Sequence, residues 1–201
     1  MESFYPADFE FLTQNRILQR PLLEARNYYE RNRSEFERLL KKYGKLIHSG
    51  KTADVEVRRS SVHGCGLFAE KTLSKGDWIG QYTGEQRWAL PFTKKTDYAW
   101  LVPAPTFPRL EINALKKGNA LRFANHSFEP NATADHLFAD GHWIIFFYAA
   151  RTVERGEEIF IDYGETYWSS RQRELHIPRE LFQNLKQKQT ALSPGGECNK
   201  I

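Results

Sequence analysis

Residues 53–165 constrain the fold most, because short strand-like stretches alternate there with turns of glycine, proline and charged residues. β-Branched and aromatic side chains are frequent in four of these stretches, which are Asp77–Tyr82, Tyr98–Val102, Thr133–Phe138 and His142–Ala149. A cluster of prolines at 103, 105 and 108 favours a loop or an edge segment. Many short strands with little helix between them predict a β-rich domain of several small sheets. The hydrophobic content of 40% is enough for a packed core and too high for a disordered chain.

Residues 6–48 contain few glycines or prolines and show helical spacing. An apolar stripe repeats every seven residues, with two further leucines on the same side: Leu22, Tyr29, Phe36 and Tyr43, then Leu39 and Leu46. We expect Pro21 to open the helix at its first turn, and Gly44 with Gly50 to weaken its end. The stripe predicts a helix packed on the β-rich domain. The alternative is that it mediates self-association, as in a homodimer, or binds a partner.

The chain regains helical character after Tyr167, where Pro178 precedes an amphipathic stretch with Leu181, Phe182 and Leu185. Three regions are therefore predicted: a helical N-terminal region at 1–52, a central domain at 53–168, and a C-terminal helical segment with a tail at 169–201.

Composition excludes several classes of protein. No apolar run approaches the roughly 20 residues of a membrane span, and the N-terminus lacks the features of a signal peptide. We therefore expect an intracellular protein that does not insert into a membrane. Two cysteines, Cys65 and Cys198, cannot supply a disulfide framework or a four-cysteine zinc site by themselves. The net charge of +4 suits attraction to acidic surfaces, chromatin included, although many ordinary proteins are as basic.

Four segments have the residue types of a ligand site. In Val62–Ala69, two glycines flank one residue before an apolar strand, so the backbone there can approach a ligand closely. The other three are Gly80–Glu85 with its central tyrosine, Glu111–Asn131 with an Asn-His-Ser cluster, and Gly156–Trp168, whose strand ends at Asp-Tyr-Gly. Taken singly, such segments are more often a structural turn, a half-buried tyrosine or an irregular polar loop.

Taken together and in this order, the four segments resemble the SET-domain family of protein lysine methyltransferases. The family's run of HGxGLFA, GEYxGE, IDAxxxGNxxRFxNHSxxPN and GEExxxDY is present nearly whole, over roughly residues 54–168. The resemblance implies a β-rich SET fold of several small, mainly antiparallel sheets with a threaded pseudoknot core, N-terminal helices and a C-terminal helix. It also implies methyl transfer from S-adenosylmethionine to a lysine of a protein, with cofactor and peptide on opposite faces of a narrow lysine channel.

The resemblance implies roles for individual residues at the cofactor. The backbone of Gly64–Leu67 would hold the methionine part, and Arg122 would meet its carboxylate. Asn125 and His126 would hold the amino group and the adenine. An aromatic side chain, Trp168 or Tyr167, would lie over the adenine ring. The complete predicted cofactor set is His63, Gly64, Cys65, Gly66, Leu67, Tyr98, Arg122, Asn125, His126, Tyr163 and Trp168.

The same resemblance predicts the catalytic residues and the lysine channel. Tyr163 would orient the attacking amine, and Tyr82 would line the channel from the other side. The predicted channel set is Tyr82, Phe160, Ile161 and Tyr163. Ile161 stands where the family usually has Phe or Tyr, and the smaller side chain favours di- or trimethylation. Phe160, Ala134 or Phe138 could compensate as another wall of the channel.

Two departures from the family pattern affect the prediction. The common IDA is Ile112-Asn113-Ala114 here, which is expected to alter a structural hydrogen bond. The cysteine that often follows NHS, and that binds zinc with a cysteine-rich tail, is Phe128, and no such tail is present. The resemblance therefore implies no metal site, with the C-terminal helix closing the lysine channel instead.

The flanks resemble the short chlamydial-type SET proteins. That subgroup implies histones or histone-like proteins as substrates, association with chromatin, and either a bacterial cytoplasmic location or delivery to a host nucleus. Two other functions stay open: methylation of a non-histone protein, and an inactive SET-fold module that binds a peptide or chromatin.

Overall fold

The computed structural model describes residues 16–89, 96–103, 109–165 and 167–168, with the side chains of 16–23 and 25 excepted. The helix α1 spans Arg16–Ser49. The strands follow in this order: β1 Val55–Arg59, β2 Cys65–Ala69, β3 Trp78–Tyr82, β4 Glu85–Ala89, β5 Ala99–Leu101, β6 Arg109–Asn113, β7 Asn125–His126, β8 Ala132–Ala139, β9 His142–Ala149 and β10 Phe160–Ile161. A short 3₁₀ helix at Ala120–Phe123 precedes β7.

The strands form small sheets, as the sequence predicts. Strands β1 and β2 are antiparallel, β4, β6 and β5 form an antiparallel three-stranded sheet, and β7 pairs with β10 in parallel. A further sheet has the order β3-β9-β8. All four strands predicted from the sequence are present, with ends within a residue or two of those expected. The predicted β-rich architecture of several small, mainly antiparallel sheets is thereby confirmed.

The described residues belong to two compact units that are interleaved along the chain. The first takes residues up to 51, 80–122 and 135–147, and the second takes 52–79, 123–134 and 148 onward. The predicted boundaries at 52 and 168 remain predictions. The C-terminal helix with Leu181, Phe182 and Leu185 lies outside the described residues. Within the described residues, no helix is both long and apolar enough to cross a membrane.

Helix α1 belongs to the first unit and buries the C-terminal part of its apolar stripe. Phe36, Leu39 and Tyr43 are at most 4% exposed. The Phe36 ring meets Trp143 of β9 edge-on at 6.0 Å between centroids, and Tyr43 lies 5.5 Å from Phe146 of the same strand. Phe36, Leu39 and Tyr43 are therefore covered by the chain itself, while Tyr29 and Leu46 are half-buried, which supports the packed-helix interpretation.

The prediction that Pro21 opens the helix is wrong, because Pro21 lies inside α1. A proline in a helix removes the one hydrogen bond that its N–H would donate four residues back. That loss falls near one end of a 34-residue helix whose other end is anchored by packing. Gly50 does end the helix, with a φ of 63° and its N–H donated to the Ile47 carbonyl at 3.0 Å.

The second unit is built around β2 and the segment before β10. Leu67, Val153 and Ile159 are completely buried. The Ile159 N–H donates to the Leu67 carbonyl at 2.7 Å, and the Ala69 N–H donates to the Glu157 carbonyl at 3.0 Å. These bonds place the Gly-Glu-Glu turn beside the strand that follows the paired glycines.

A half-buried histidine links α1 to β8 and generates a test of this packing. The Tyr28 hydroxyl and His136 Nε2 are 2.7 Å apart, and the Phe36 and Trp143 rings also contact the imidazole. Burial lowers the pKa of His136, and the nearby Asp135 opposes that shift. Because the unfolded chain then binds this proton more readily, the stabilising contribution of His136 is present above pH about 6.5 and is lost as the pH falls below it.

We expect His136→Gln to reduce this acid sensitivity, because glutamine can bond Tyr28 without titrating. The free energy of unfolding, measured in urea at pH 7.5 and 5.5, should fall more for the wild type than for the variant. Comparing the two proteins cancels the opposite contribution of His48, whose pKa is raised by hydrogen bonds to Gly44 and Asp140. An equal fall in both proteins would contradict the role of His136.

Candidate active site

The side chain of Asn125, on β7, is the hub of the site in the second unit. It is 8% exposed. Its amide nitrogen donates to the carbonyls of His63 at 3.2 Å and Cys65 at 3.0 Å, and to Glu158 Oε1 at 2.8 Å. One amide therefore joins the glycine turn, β7 and the segment that leads into β10.

The glycine turn is shaped by one serine and two glycines. Ser60 Oγ accepts the N–H groups of Val62 at 2.9 Å and His63 at 3.3 Å. Gly64 has a φ of 45°, in the left-handed region that favours glycine. A Cβ at Gly66 would lie 2.7 Å from Glu158 Cδ and closer still to its Oε1. The space at Gly66 is thus filled by a carboxylate of the same chain, a reason for glycine that the sequence pattern did not reveal.

Tyr163 is brought to β7 by two hydrogen bonds. Its hydroxyl donates to the Ala124 carbonyl at 2.9 Å, and its backbone N–H donates to His126 Nδ1 at 3.2 Å. A nitrogen that accepts an N–H carries no proton, so the ring proton of His126 resides on Nε2. The 3.6 Å separation of His126 Nδ1 from Asp162 Oδ1 is consequently not an ion pair. The predicted meeting of Asn125, His126 and Tyr163 is confirmed.

Pairing of β7 with β10 explains this meeting. Phe160 is opposite Asn125 and Ile161 is opposite His126 in a parallel register. The Ser127 N–H extends the pair by donating to the Ile161 carbonyl at 3.0 Å. Ile161 is 2% exposed and Phe160 is half-buried. Their roles in a lysine channel, and the effect of Ile161 on methylation state, remain predictions.

Aromatic rings surround His126. The Phe128 ring meets the imidazole edge-on at 4.4 Å between centroids, and the Trp168 ring is tilted against it at 4.8 Å. Tyr167 contacts both Trp168, at 5.2 Å, and Tyr163, at 4.9 Å. Either predicted adenine partner, Trp168 or Tyr167, is therefore close to the Asn-His pair.

The remaining predicted site residues form a group of their own in the first unit. The buried Tyr82 hydroxyl donates to the Tyr98 carbonyl at 2.8 Å. Burial raises the pKa of Tyr82 well above its usual value of about 10, although Arg122 opposes the shift. Arg122 Nη1 donates to the carbonyls of Ala114 at 2.9 Å and Leu115 at 3.3 Å, with its guanidinium 5.6 Å from the centre of the Tyr98 ring.

Comparison with known proteins agrees with this geometry. The profile of the SET domain matches residues 64–164, half of the chain, which include the glycine turn, Asn125, His126 and Tyr163. The chain belongs to the SET domain family.

Three relatives illustrate the similarity. The histone-lysine N-methyltransferase MEDEA of Arabidopsis thaliana is 35% identical over an alignment of 115 residues that covers 53% of this chain and 16% of that protein. An H3 lysine-4 specific histone-lysine N-methyltransferase of Aspergillus oryzae is 36% identical over 130 residues, 59% of this chain and 10% of the relative. The histone-lysine N-methyltransferase trithorax of Drosophila virilis is 34% identical over 114 residues, 54% of this chain and 3% of the relative. The chain thus matches only a small part of each relative.

The residues of the second unit fit an S-adenosylmethionine site in their chemistry. The positive φ of Gly64 lets the backbone approach a ligand closely. The Asn125 amide on β7 suits polar contacts, and the aromatic rings beside His126 suit stacking on a base. Among the described residues, no group of three His, Cys, Asp or Glu could hold a metal ion. The absence of a metal site remains a prediction for the chain. Sequence reasoning missed Ser60 and Glu158, although the GEE motif contained a signal for the latter.

The clash at Gly66 gives a prediction on stability. Gly66→Ala should displace the Glu158 carboxylate from Asn125 and lower the free energy of unfolding by about 1–3 kcal/mol. The double variant Gly66→Ala/Glu158→Ala should lose less than the sum of the single variants, because removing the carboxylate relieves the clash. Denaturant unfolding of the four proteins measures this coupling. Strict additivity would show that the methyl group acts through the backbone and not through Glu158.

Proposed function

We propose that the protein is an S-adenosylmethionine-dependent protein-lysine N-methyltransferase. The observation that carries the proposal is the placement of the Tyr163 hydroxyl on the Ala124 carbonyl, next to the Asn125–His126 pair, in a chain of the SET family. S-adenosylmethionine, when bound, supplies a methyl group on a positively charged sulfur. The chain itself must hold a lysine amine in its neutral form and in line with that methyl group.

Tyr163 is the residue that aligns the amine. Because its hydroxyl hydrogen is donated to Ala124, the oxygen lone pairs are directed away from that carbonyl and can accept a hydrogen bond from the substrate amine. The hydrogen bond from its backbone N–H to His126 Nδ1 also fixes the backbone position of Tyr163. Orientation of this kind can lower a barrier by several kcal/mol.

Tyr82 has a different role from Tyr163. Its raised pKa keeps the phenol neutral at any physiological pH, so it does not act as a base. A lysine amine free in water has a pKa of about 10.4 and must lose a proton before it attacks. A desolvated channel and the positive sulfur both favour that loss, and no side-chain nucleophile is required.

Histones, or lysine-rich histone-like proteins, are the proposed substrates, with association with chromatin. The support is the histone-lysine activity for which the relatives are named, together with the basic net charge of +4. Membership of the chlamydial-type subgroup, and the location that it implies, stay predictions. A homodimer through α1 has less support, since Phe36, Leu39 and Tyr43 of its stripe are buried within the chain.

The first test is methyl transfer from labelled S-adenosylmethionine to core histones and to a bacterial histone-like protein. Tyr163→Phe should lower turnover roughly 100-fold, since misalignment of the reacting groups costs about that factor. Binding of S-adenosylmethionine should stay within about twofold, because the stacking surface of the ring is kept. Tyr29→Phe, on α1, is the matched control and should retain full activity.

The outcomes separate the competing functions. Transfer by the wild type, lost in Tyr163→Phe, supports the proposal, and the mass of the product reports the number of methyl groups. Full activity of Tyr163→Phe would refute the role of Tyr163. Cofactor binding without transfer to either substrate favours a non-histone target. Failure to bind the cofactor favours an inactive peptide-binding module.

Arg122 provides a second test at the level of binding. Arg122→Ala should weaken the binding of S-adenosylmethionine at least about tenfold if the guanidinium bonds the cofactor carboxylate. A hydrogen bond to a charged group contributes at least that factor to affinity. 5′-Methylthioadenosine, which lacks that carboxylate, is the control ligand, and its dissociation constant should change little in the variant. Equal loss for both ligands would show that Arg122 acts only by holding the Ala114 and Leu115 carbonyls.

A further inference from the structure

Among the described residues, Glu158 is a buried carboxyl group whose hydrogen-bond donors are both neutral. It is 7% exposed, and it accepts from Asn125 Nδ2 at 2.8 Å and from Ser60 Oγ at 2.9 Å. In the part of the chain that the structure describes, it forms no ion pair. Buried carboxylates are normally paired with a cation. Glu111, equally buried, follows this rule through its 2.5 Å contact with Arg87 Nε.

The hydrogen-bond inventory indicates that Glu158 is ionised. Ser60 Oγ already accepts two backbone N–H groups, so its own hydrogen is what faces Glu158 Oε2. The amide nitrogen of Asn125 can only donate, so Glu158 Oε1 must also accept. A protonated carboxyl would find no acceptor for its proton at either oxygen, because both Ser60 and Asn125 donate to it. Glu158 is therefore a buried negative charge without a cationic partner among the described residues.

This charge lies where a cationic ligand is expected. Through the single amide of Asn125 it is connected to the carbonyls of His63 and Cys65, the residues on either side of Gly64. S-adenosylmethionine carries two cations, the sulfonium and the ammonium, against one carboxylate. We propose that Glu158 is the counter-charge for the cationic methionine end of S-adenosylmethionine. It is a positioning residue that acts through Asn125, and this inference rests on the proposed function.

Three ligands separate an electrostatic role from a structural one. S-adenosylmethionine has both cations, S-adenosylhomocysteine has only the ammonium, and 5′-methylthioadenosine has neither. A buried charge distinguishes ligands by their cations, whereas a loosened turn weakens by the same factor the two ligands that carry the methionine end, S-adenosylmethionine and S-adenosylhomocysteine. Their dissociation constants, measured by calorimetry on the full chain, are therefore the readout, and no turnover is needed.

Glu158→Gln is the informative variant and Ser60→Ala is its matched control. The glutamine carbonyl can still accept from Asn125, but its amide faces a serine oxygen whose lone pairs are already used. The variant thus loses the charge and one hydrogen bond. Ser60→Ala keeps the charge and loses the same hydrogen bond, together with the two N–H bonds from Val62 and His63, so it reports the effect of a loosened turn. Glu158→Met, of similar volume, is a second neutral variant. Circular dichroism establishes that each protein is folded.

Glu158→Gln should raise the dissociation constant of S-adenosylmethionine about tenfold and leave that of 5′-methylthioadenosine within about twofold of the wild-type value. Loss shared by S-adenosylhomocysteine, and larger than the loss in Ser60→Ala, assigns the partner as the ammonium. Loss confined to S-adenosylmethionine assigns it as the sulfonium. Equal weakening of all three ligands, or no more weakening than in Ser60→Ala, overturns the inference. If the wild type binds S-adenosylmethionine while Glu158→Gln binds it equally well, only this inference fails. Lack of binding by the wild type refutes the proposed function as well.

Discussion

The hydrogen bond between Asn125 and Glu158 is the interaction on which the second unit depends. It joins two buried polar groups that are 33 residues apart, and the same amide reaches a carbonyl 60 residues away. Neither group could be buried alone, because an unsatisfied polar group in the interior costs about 1–3 kcal/mol and an unsatisfied charge costs more. Each therefore requires the other, and the glycine at position 66 is required by the space that the carboxylate occupies.

Asn131 fixes the other side of the same segment. Its amide nitrogen donates to the Glu158 carbonyl at 2.7 Å, and its carbonyl accepts the Phe160 N–H at 2.8 Å. Residues 158–160 are thus held by one asparagine from each end of the NHSxxPN motif. This double attachment positions β10 against β7, and the chain leaving β10 delivers Tyr163 to Ala124. The position of the Tyr163 hydroxyl therefore depends on the polar contacts of residues 158–160, which precede it in the sequence.

The sequence predicted local features well and long-range polar contacts poorly. Alternation and turn residues located the strands His142–Ala149 and Trp78–Tyr82, and four motifs in order predicted the SET family, which the domain match at 64–164 confirms. Pattern could not predict that Gly66 accommodates a carboxylate, because Glu158 is 92 positions further along the chain. Pro21 was misplaced because helix-start rules describe local preference, whereas the contacts of Phe36 and Tyr43 stabilise α1 from its other end.

The departures from the family pattern have local compensation. Asn113 replaces the common aspartate, and its amide donates to Glu111 at 3.2 Å and to Thr96 at 3.1 Å. An aspartate there would set a second negative charge beside a buried glutamate, so the asparagine suits this chain better. Phe128 stands where the family pattern often has a cysteine, and its ring contacts His126 and, at 6.1 Å, Trp168. These ring contacts hold Trp168 near His126, because the indole lies against both the imidazole and the Phe128 ring.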